Sequence, residues 1–443
     1  MKGSEKSRQS LLDGTMETAI LKSISAENFA SFAERVVFTC VADGSKKEYA
    51  MNTFKAGDDV INKVSYVYGS NGSGKTFFCK ILREIQRIIA LSPFSMMKSS
   101  QIKALFPSEE LLKPIPKFAF DIAYQDLPTT LGIDMIIDNI TYHYEFSFLG
   151  EKVVHELLTK KYRRTEKILE RLSPSFQDIT VRSELKSFED TKRVVKEDAL
   201  CLGMAAMLNN DFANMLVDTI KEINVFNMTA PRLNPGEMEA FSEERIAKYV
   251  KILQKADPTI RRMHVEYEEE EVARQKVDFD DFENREIIQT KTTVGVKTDH
   301  ALYDHGVEIE TGTDQIEFFK DESLGTVKLF TTLPYLFDVL ENGGILVLDE
   351  IENGLHPALV KEMISLFIDE ESNPHHAQLI CTTHQPLLVS ENVKRDQVWI
   401  LSKDKYGKSS LKRLSDKSFS RTKVNLTNKI LEGALGCNPD KFF

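Results

Sequence analysis

The chain has 443 residues, 42% of them hydrophobic and 28% charged, ordinary proportions for a globular protein but too much length for one compact core. Lys and Arg number 57 against 68 Asp and Glu, and the net charge of −11 argues against a generally basic nucleic-acid binder. No apolar run approaches a membrane span, and the N-terminus lacks the apolar stretch of a signal peptide. Five scattered cysteines (Cys40, Cys79, Cys201, Cys381, Cys437) suggest neither zinc nor a disulfide framework, so a cytoplasmic, reduced protein is expected.

Residues 1–18 are polar and read as disordered. Strands are expected at Ile20–Ala26 and Arg35–Cys40, joined through Glu27-Asn28-Phe29-Ala30-Ser31-Phe32. The apolar run Val64–Tyr68 then leads into Gly69-Ser70-Asn71-Gly72-Ser73-Gly74-Lys75-Thr76, and a helix-like run follows from Phe77 to Ile89. This octapeptide fits the phosphate-binding pattern G-x4-G-K-[ST] at every position, in the strand–loop–helix context the pattern requires. Its glycines let backbone N–H groups cradle phosphate oxygens. Lys75 would neutralise the β- and γ-phosphates, and the Thr76 hydroxyl would sit on Mg2+. The chain is expected to bind a nucleoside triphosphate.

Beyond a polar gap, Phe118–Tyr124, Gly132–Ile137 and Ile140–Phe148 read as alternating strands. From about 153 to 255 the pattern reads as helical, through Leu157/Leu158, Ile168/Leu169, Met204/Met207, Met215/Ile220 and Tyr249/Leu253, with no sustained heptad. Glu266–Glu271 is acidic apart from Tyr267 and reads as a solvent-facing edge or loop; Val294–Val296 and Val307–Ile309 read as strands. Two basic stretches stand out, Lys160, Lys161, Arg163, Arg164 and Lys167 around Tyr162, and Lys403, Lys405, Lys408, Lys412 and Arg413. Such clusters are mostly solvated faces, and DNA contact stays open for either.

An α/β pattern occupies the chain from residue 323. Ser323 is a suitable N-cap for a helix running from Val327 to Leu340, and the free N–H groups of its first turn can hold an anion. Ile345–Leu348 is wholly apolar and ends in Asp349-Glu350, as a strand buried on both faces of a parallel sheet would. Asp349 is expected to hold Mg2+ and Glu350 to orient and deprotonate the attacking water. Ala377–Thr383 is a second apolar strand, and His384 at its end can reach a γ-phosphate or the water. The catalytic set is therefore Lys75, Glu350 and His384, with Thr76 and Asp349 on the metal.

This order of motifs resembles the ABC-type ATPase heads of RecF, Rad50 and SMC proteins. The run from Glu322 to His384, including Asp349-Glu350-Ile351-Glu352-Asn353-Gly354-Leu355-His356-Pro357, is similar to the AbiL/RloA group of AAA-type ATPases, bacterial abortive-infection and restriction-linked proteins. Further matches are Glu27–Phe32, Leu253-Gln254-Lys255-Ala256-Asp257-Pro258-Thr259-Ile260 and Leu431–Pro439. The resemblance implies that Ser323 and Gly325 complete the ATP site of a second subunit, and that Glu352–Leu355 links the two. Ala30 stands where the group usually has Arg, and Ser323-Leu324-Gly325-Thr326 replaces the Leu-Ser-Gly-Gly signature of transporters. Gln101 and Gln125 are candidates for the glutamine that senses Mg2+.

The expected fold is thus an α/β ABC-type P-loop NTPase head with an antiparallel β subdomain and a mostly helical insertion. A disordered N-terminus over 1–18 precedes the N-terminal half of the head at 19–150, the insertion at 151–260 and the C-terminal half at 261–443. The resemblance implies a Mg-ATP-hydrolysing sensor or motor subunit of an anti-phage abortive-infection system. It would form a head-to-tail homodimer or higher homo-oligomer and control a separate effector, a nuclease or other toxin, with no membrane partner. The alternatives are a RecF/Rad50-like repair or recombination ATPase that clamps DNA, and a nonhydrolysing scaffold; a transporter head is disfavoured.

Overall fold

The computed structural model describes residues 19–43, 49–97, 114–227, 241–279, 282–389 and 392–416. The chain divides into two units, one taking residues up to 226 with 339–351 and those from 361 onward, the other 227–338 with 352–360. No helix among the described residues is long and apolar enough to cross a membrane.

In the first unit, β1 (Ile20–Glu27) and β2 (Val36–Thr39) flank a tight turn closed by paired backbone bonds between Phe29 and Phe32, both wholly buried. A hairpin of β3 (Thr53–Ala56) and β4 (Asp59–Asn62) precedes β5 (Val64–Tyr68), whose five residues are all buried. α1 (Lys75–Leu91) presents Phe78, Ile81, Leu82, Ile85, Ile88 and Ile89 to the core at helical spacing. Next come β6 (Thr129–Ile137), β7 (Ile140–Leu149), β8 (Lys152–Lys161), β9 (Thr165–Arg171) and β10 (Ile179–Val181). They form a seven-stranded antiparallel sheet in the order β10-β9-β8-β7-β6-β1-β2. Leu131 and Ile133 of β6 stand opposite Phe146 and Tyr144 of β7 and bury the same face. α2 (Cys201–Met207), α3 (Asp211–Lys221) and β11 (Asn224–Asn227) complete this stretch.

Two expectations need correction here. Residues 152–161 and 165–171 are strands of the antiparallel sheet, and α-helix begins only at Cys201 after short 3-10 turns. The alternation was hidden because two inward positions are polar. Glu156 and Arg171 are wholly buried, and their carboxyl and guanidinium groups hydrogen-bond to protein. Glu156 accepts from the Tyr144 hydroxyl at 2.8 Å and from the N–H groups of Cys201 and Leu202 at 2.8 and 3.0 Å. Arg171 donates to the carbonyls of Ala199 and Ser173 at 2.7 and 2.9 Å. Phe118–Tyr124 is likewise no strand, and it ends in a 3-10 turn at Ile122–Tyr124. The Asn28 side chain takes its backbone instead, accepting from Phe118 N–H at 3.2 Å and donating to the Tyr124 carbonyl at 2.8 Å.

The second unit opens with α4 (Glu243–Leu253), followed by β12 (Ile260–Phe279), β13 (Phe282–Asp304) and β14 (Val307–Glu317), a three-stranded antiparallel sheet. Glu266–Glu271 lies inside β12. With 20 and 23 residues, β12 and β13 form a ribbon on the order of 65–75 Å long. β14 pairs β13 only between Lys297 and Asp304. α5 (Phe318–Asp321) and α6 (Leu324–Asn342) follow, and the ring of Phe330 on α6 packs on Phe318, Phe241 and Tyr249.

Back in the first unit are β15 (Ile345–Asp349), α7 (Pro357–Ile368), which starts in the second, β16 (Gln378–Thr383), β17 (Val398–Lys403) and β18 (Ser409–Arg413). They build a six-stranded sheet ordered β11-β15-β16-β5-β17-β18, in which β15, β16, β5 and β17 run parallel. Trp399, the sole tryptophan of the chain, stands opposite Val67, with its ring 5.3 Å from Phe38 and the Arg413 guanidinium 5.4 Å from its centre.

Replacing Glu156 by Ala leaves one hydroxyl and two helix N–H groups buried without a partner. The expected loss is roughly 3 kcal/mol of stability, read as a lower melting temperature; an unchanged melt would show that these groups find substitutes.

Candidate functional site

The phosphate-loop pattern sits where β5 meets α1, and its shape is imposed from several sides. Gly69 N–H donates to the Thr383 carbonyl at 3.1 Å. A Cβ on Gly69 would lie 2.5 Å from Ser73 Oγ and 2.7 Å from the Leu401 carbonyl. Gly74, with φ of 112°, is the N-cap of α1, and a Cβ there would meet the hydroxyls of Ser31 at 2.7 Å and Ser409 at 2.8 Å. Ser409 closes the arrangement, donating its hydroxyl to the Ser73 carbonyl at 2.6 Å and its N–H to the Ser31 carbonyl at 2.8 Å.

Lys75 is buried and folds back on its own loop, Nζ donating to the carbonyls of Gly69 at 3.0 Å and Ser70 at 3.1 Å. Asn71, Gly72 and Thr76 are exposed, and the first turn of α1 carries no acidic residue. Ser73 Oγ is buried without a hydrogen-bond partner. An open helix N-terminus, a buried ammonium, an exposed hydroxyl and an unsatisfied buried one fit a triphosphate with its cation.

Asp349 ends β15 and Glu350 follows it at the carboxyl edge of the same sheet, where ligands of such folds bind. Thr382 of β16 joins them. Its hydroxyl donates to Asp349 Oδ1 at 2.7 Å and accepts from Glu350 N–H at 2.8 Å. Glu350 has φ of 54°, a left-handed conformation uncommon outside glycine and often kept at functional sites. Asp349 also lies beside Cys79 of α1. Burial pushes the Cys79 thiol well above its ordinary value, and the Asp349 charge adds to the rise. His384 follows directly on β16, half-buried, at the same edge. The structure therefore gathers Gly69–Thr76, Asp349, Glu350 and His384 at one end of one sheet.

Ser323 and Gly325 belong to the second unit. Ser323 caps α6, its Oγ accepting from Thr326 N–H at 3.1 Å, and it is exposed together with Leu324. A Cβ on Gly325 would lie 2.5 Å from the Gly354 carbonyl, so the first turn of α6 packs directly on the Glu352–Leu355 loop. Of the two glutamine candidates, Gln101 lies outside the described residues. Gln125 donates to the Phe118 carbonyl at 2.9 Å and so braces a turn. Leu431–Pro439 also lies outside the described residues.

Sequence reasoning missed Thr382, Ser31 and Ser409 as site residues. A signal existed for Thr382, a hydroxyl that follows the apolar run Leu379–Cys381 two residues before His384. None existed for Ser409, 336 residues from the loop it holds. In the basic stretches Lys160 pairs with Glu184 and Glu166, and Lys167 with Glu170. Lys408 meets Tyr124 and Glu34, and Arg413 donates to backbone carbonyls.

Residues 234–390 match the family model described as "AAA domain, putative AbiEii toxin, Type IV TA system". That span takes in Ser323, Gly325, Asp349, Glu350 and His384, and stops short of the phosphate loop. No curated protein matches the chain. Among solved structures, an SMC head bound to the C-terminal winged-helix domain of ScpA is 13% identical, with a TM-score of 0.40 over 88% of this chain and 96% of that one. The SMC head domain from Thermotoga maritima is 14% identical, with a TM-score of 0.33 over 89% and 98%. An Smc head from Pyrococcus yayanosii is 10% identical, with a TM-score of 0.38 over 94% and 99%. Likenesses this distant bear on neither site nor partner.

Lys75→Ala is expected to lose ATP binding in a fluorescent-nucleotide titration while keeping its fold; retained tight binding would remove the loop from nucleotide recognition. Gly325→Ala must displace the Gly354 carbonyl. It is expected to cost about 1–3 kcal/mol in stability and to lower ATP turnover with the affinity for ATP unchanged. An unaltered turnover would show that the first turn of α6 plays no part.

Proposed function

We propose that the chain is an ATPase of the ABC-head kind that dimerises head to tail around two nucleotides and acts as the sensor or motor subunit of an abortive-infection system. The observation that carries the nucleotide reading is the phosphate loop, complete in sequence, clamped in shape, and placed at the sheet edge that also holds Asp349, Glu350 and His384. Mg2+ held by the Thr76 hydroxyl and Asp349 would neutralise phosphate charge. Glu350 then orients and deprotonates the attacking water, Lys75 leaves the loop carbonyls for the β- and γ-phosphates, and His384 donates toward the γ-phosphate. Thr382 holds Asp349 and the backbone of Glu350 in fixed relation, so the metal ligand and the base move as one piece.

Dimerisation is supported by the exposure of Ser323 and Leu324 at a helix N-terminus, a ready anion site. The defence role is supported by the family description over 234–390, which names a toxin and a toxin–antitoxin system, and by the similarity to the AbiL/RloA group. A separate nuclease or other toxic effector is the implied companion. A DNA clamp is the second reading, favoured by exposed Lys161, Arg163 and Arg164 around exposed Tyr162 at the β8–β9 turn. The acidic partners of Lys160 and Lys167 weaken it.

The test is light scattering of Glu350→Gln on a gel-filtration column with and without Mg-ATP. A mass that doubles only with ATP supports the head-to-tail switch, and a mass indifferent to ATP overturns it. Duplex binding that needs ATP and weakens steeply with salt would instead favour the clamp.

A further inference from the structure

Within the second unit, four side chains form one continuous hydrogen-bonded chain that ends beside Ser323. Asp257 Oδ1 accepts from the Thr259 N–H at 2.9 Å and from its hydroxyl at 2.6 Å. Thr259 Oγ1 lies 2.8 Å from His300 Nδ1, and His300 Nε2 lies 2.7 Å from Glu322 Oε1. Glu322 also accepts from the Thr298 hydroxyl at 2.7 Å. The side chains of His300 and Glu322 are only 15% and 3% exposed. Thr259 has one hydroxyl hydrogen, and Asp257 takes it. The ring therefore donates to Thr259 from Nδ1 and meets the Glu322 carboxyl through Nε2.

A buried polar chain of this kind is a costly way to fill space, since apolar side chains would pack at least as well. What it supplies is direction, because each link is satisfied in one geometry only. The residue whose direction it sets is Glu322, the last before exposed Ser323 and Leu324 at the start of α6. The hydrogen bonds of Ser323 stay within the start of α6, its Oγ accepting from Thr326 N–H and its carbonyl from Val327 N–H at 3.0 Å, while Gly325 rests on the Gly354 carbonyl. The remote end of the chain, Asp257 and Thr259, lies in the Leu253–Ile260 segment that joins α4 to β12, where Ala301 N–H of β13 also donates to the Thr259 carbonyl at 2.9 Å. His300 itself sits at the base of β13, the strand that continues into the long ribbon.

We infer that His300 is a positioning residue for the nucleotide site of a second copy of this chain: through Glu322 it fixes the path of Ser323 and Gly325, so that the hydroxyl and the first N–H groups of α6 meet the terminal phosphate held by that copy. This rests on the head-to-tail reading above. His300 touches no phosphate. Its loss leaves each chain able to bind ATP and impairs only the joining of two loaded chains and the turnover that follows.

The experiment uses the full chain carrying Glu350→Gln, followed by light scattering against Mg-ATP concentration, with nucleotide affinity measured separately on dilute protein. His300→Ala is expected to raise the ATP concentration for half-maximal dimerisation at least tenfold, with the affinity of the single chain changed less than twofold. His300→Gln, which keeps a donor toward Glu322, is expected to restore dimerisation to within threefold. With Glu350 intact, His300→Ala raises the ATP concentration for half-maximal turnover about tenfold, in step with dimerisation and without a matching change in the affinity of the single chain. Thr259→Val, isosteric and lacking only the hydroxyl, gives a smaller rise of about threefold and serves should the alanine variant fail to fold. Ser323→Arg separates the two ideas. If it blocks dimerisation while His300→Ala and Thr259→Val do not, the positioning role is overturned alone. If Ser323→Arg dimerises normally, the head-to-tail reading falls and the positioning role with it.

Discussion

The left-handed turn of Gly74 against the hydroxyls of Ser31 and Ser409 is the contact on which the rest of the site depends. A phosphate loop has little internal structure of its own. Its glycines permit many shapes, and the useful one must be selected from outside. Here the selection comes from the β1–β2 turn, from the first residue of β18, and from the ends of β16 and β17, which meet Gly69. These segments are remote in sequence and converge only once both sheets are assembled around α1. The antiparallel sheet is therefore part of the proposed nucleotide site. It carries Ser31 on a turn that paired Phe29–Phe32 bonds hold rigid.

The same device recurs wherever the site needs direction. Thr382 ties Asp349 to the backbone of Glu350, and Asn28 ties the 118–129 segment to the β1–β2 turn through its amide. Glu156 anchors the start of α2 to β7. In each case a short polar side chain, satisfied on both sides, does what apolar packing cannot, which is to exclude neighbouring geometries. Apolar contacts supply the cohesion of both units and leave orientation to these few links.

Much of this was legible before any fold was known. The phosphate loop, the strand ending in Asp349-Glu350 and the strand before His384 are local patterns, and each emerged in the element expected of it. The failures have a common physical origin. The sequence of β8 and β9 reads as helical because Glu156 and Arg171 occupy core positions, and their partners lie up to 46 residues away. Phe118–Tyr124 alternates like a strand, yet its hydrogen bonds go to Asn28. Ser409 and Thr382 act through contacts that only the assembled sheet creates. Periodicity reports which face is apolar; it is silent about a buried polar group whose partner is distant in the chain.

Trp399 draws a practical consequence from the sheet order. It is the one tryptophan of 443 residues, nearly buried, and directly across the ladder from Val67, two residues before Gly69. Its ring is bounded by Phe38 on one side and the Arg413 guanidinium on another, so its surroundings combine an apolar wall with a fixed charge. The tryptophan emission of the unmodified chain thus arises from a single vantage point, on the strand next to the one that feeds the phosphate loop. Without any added dye, the protein carries its own optical gauge of what happens there.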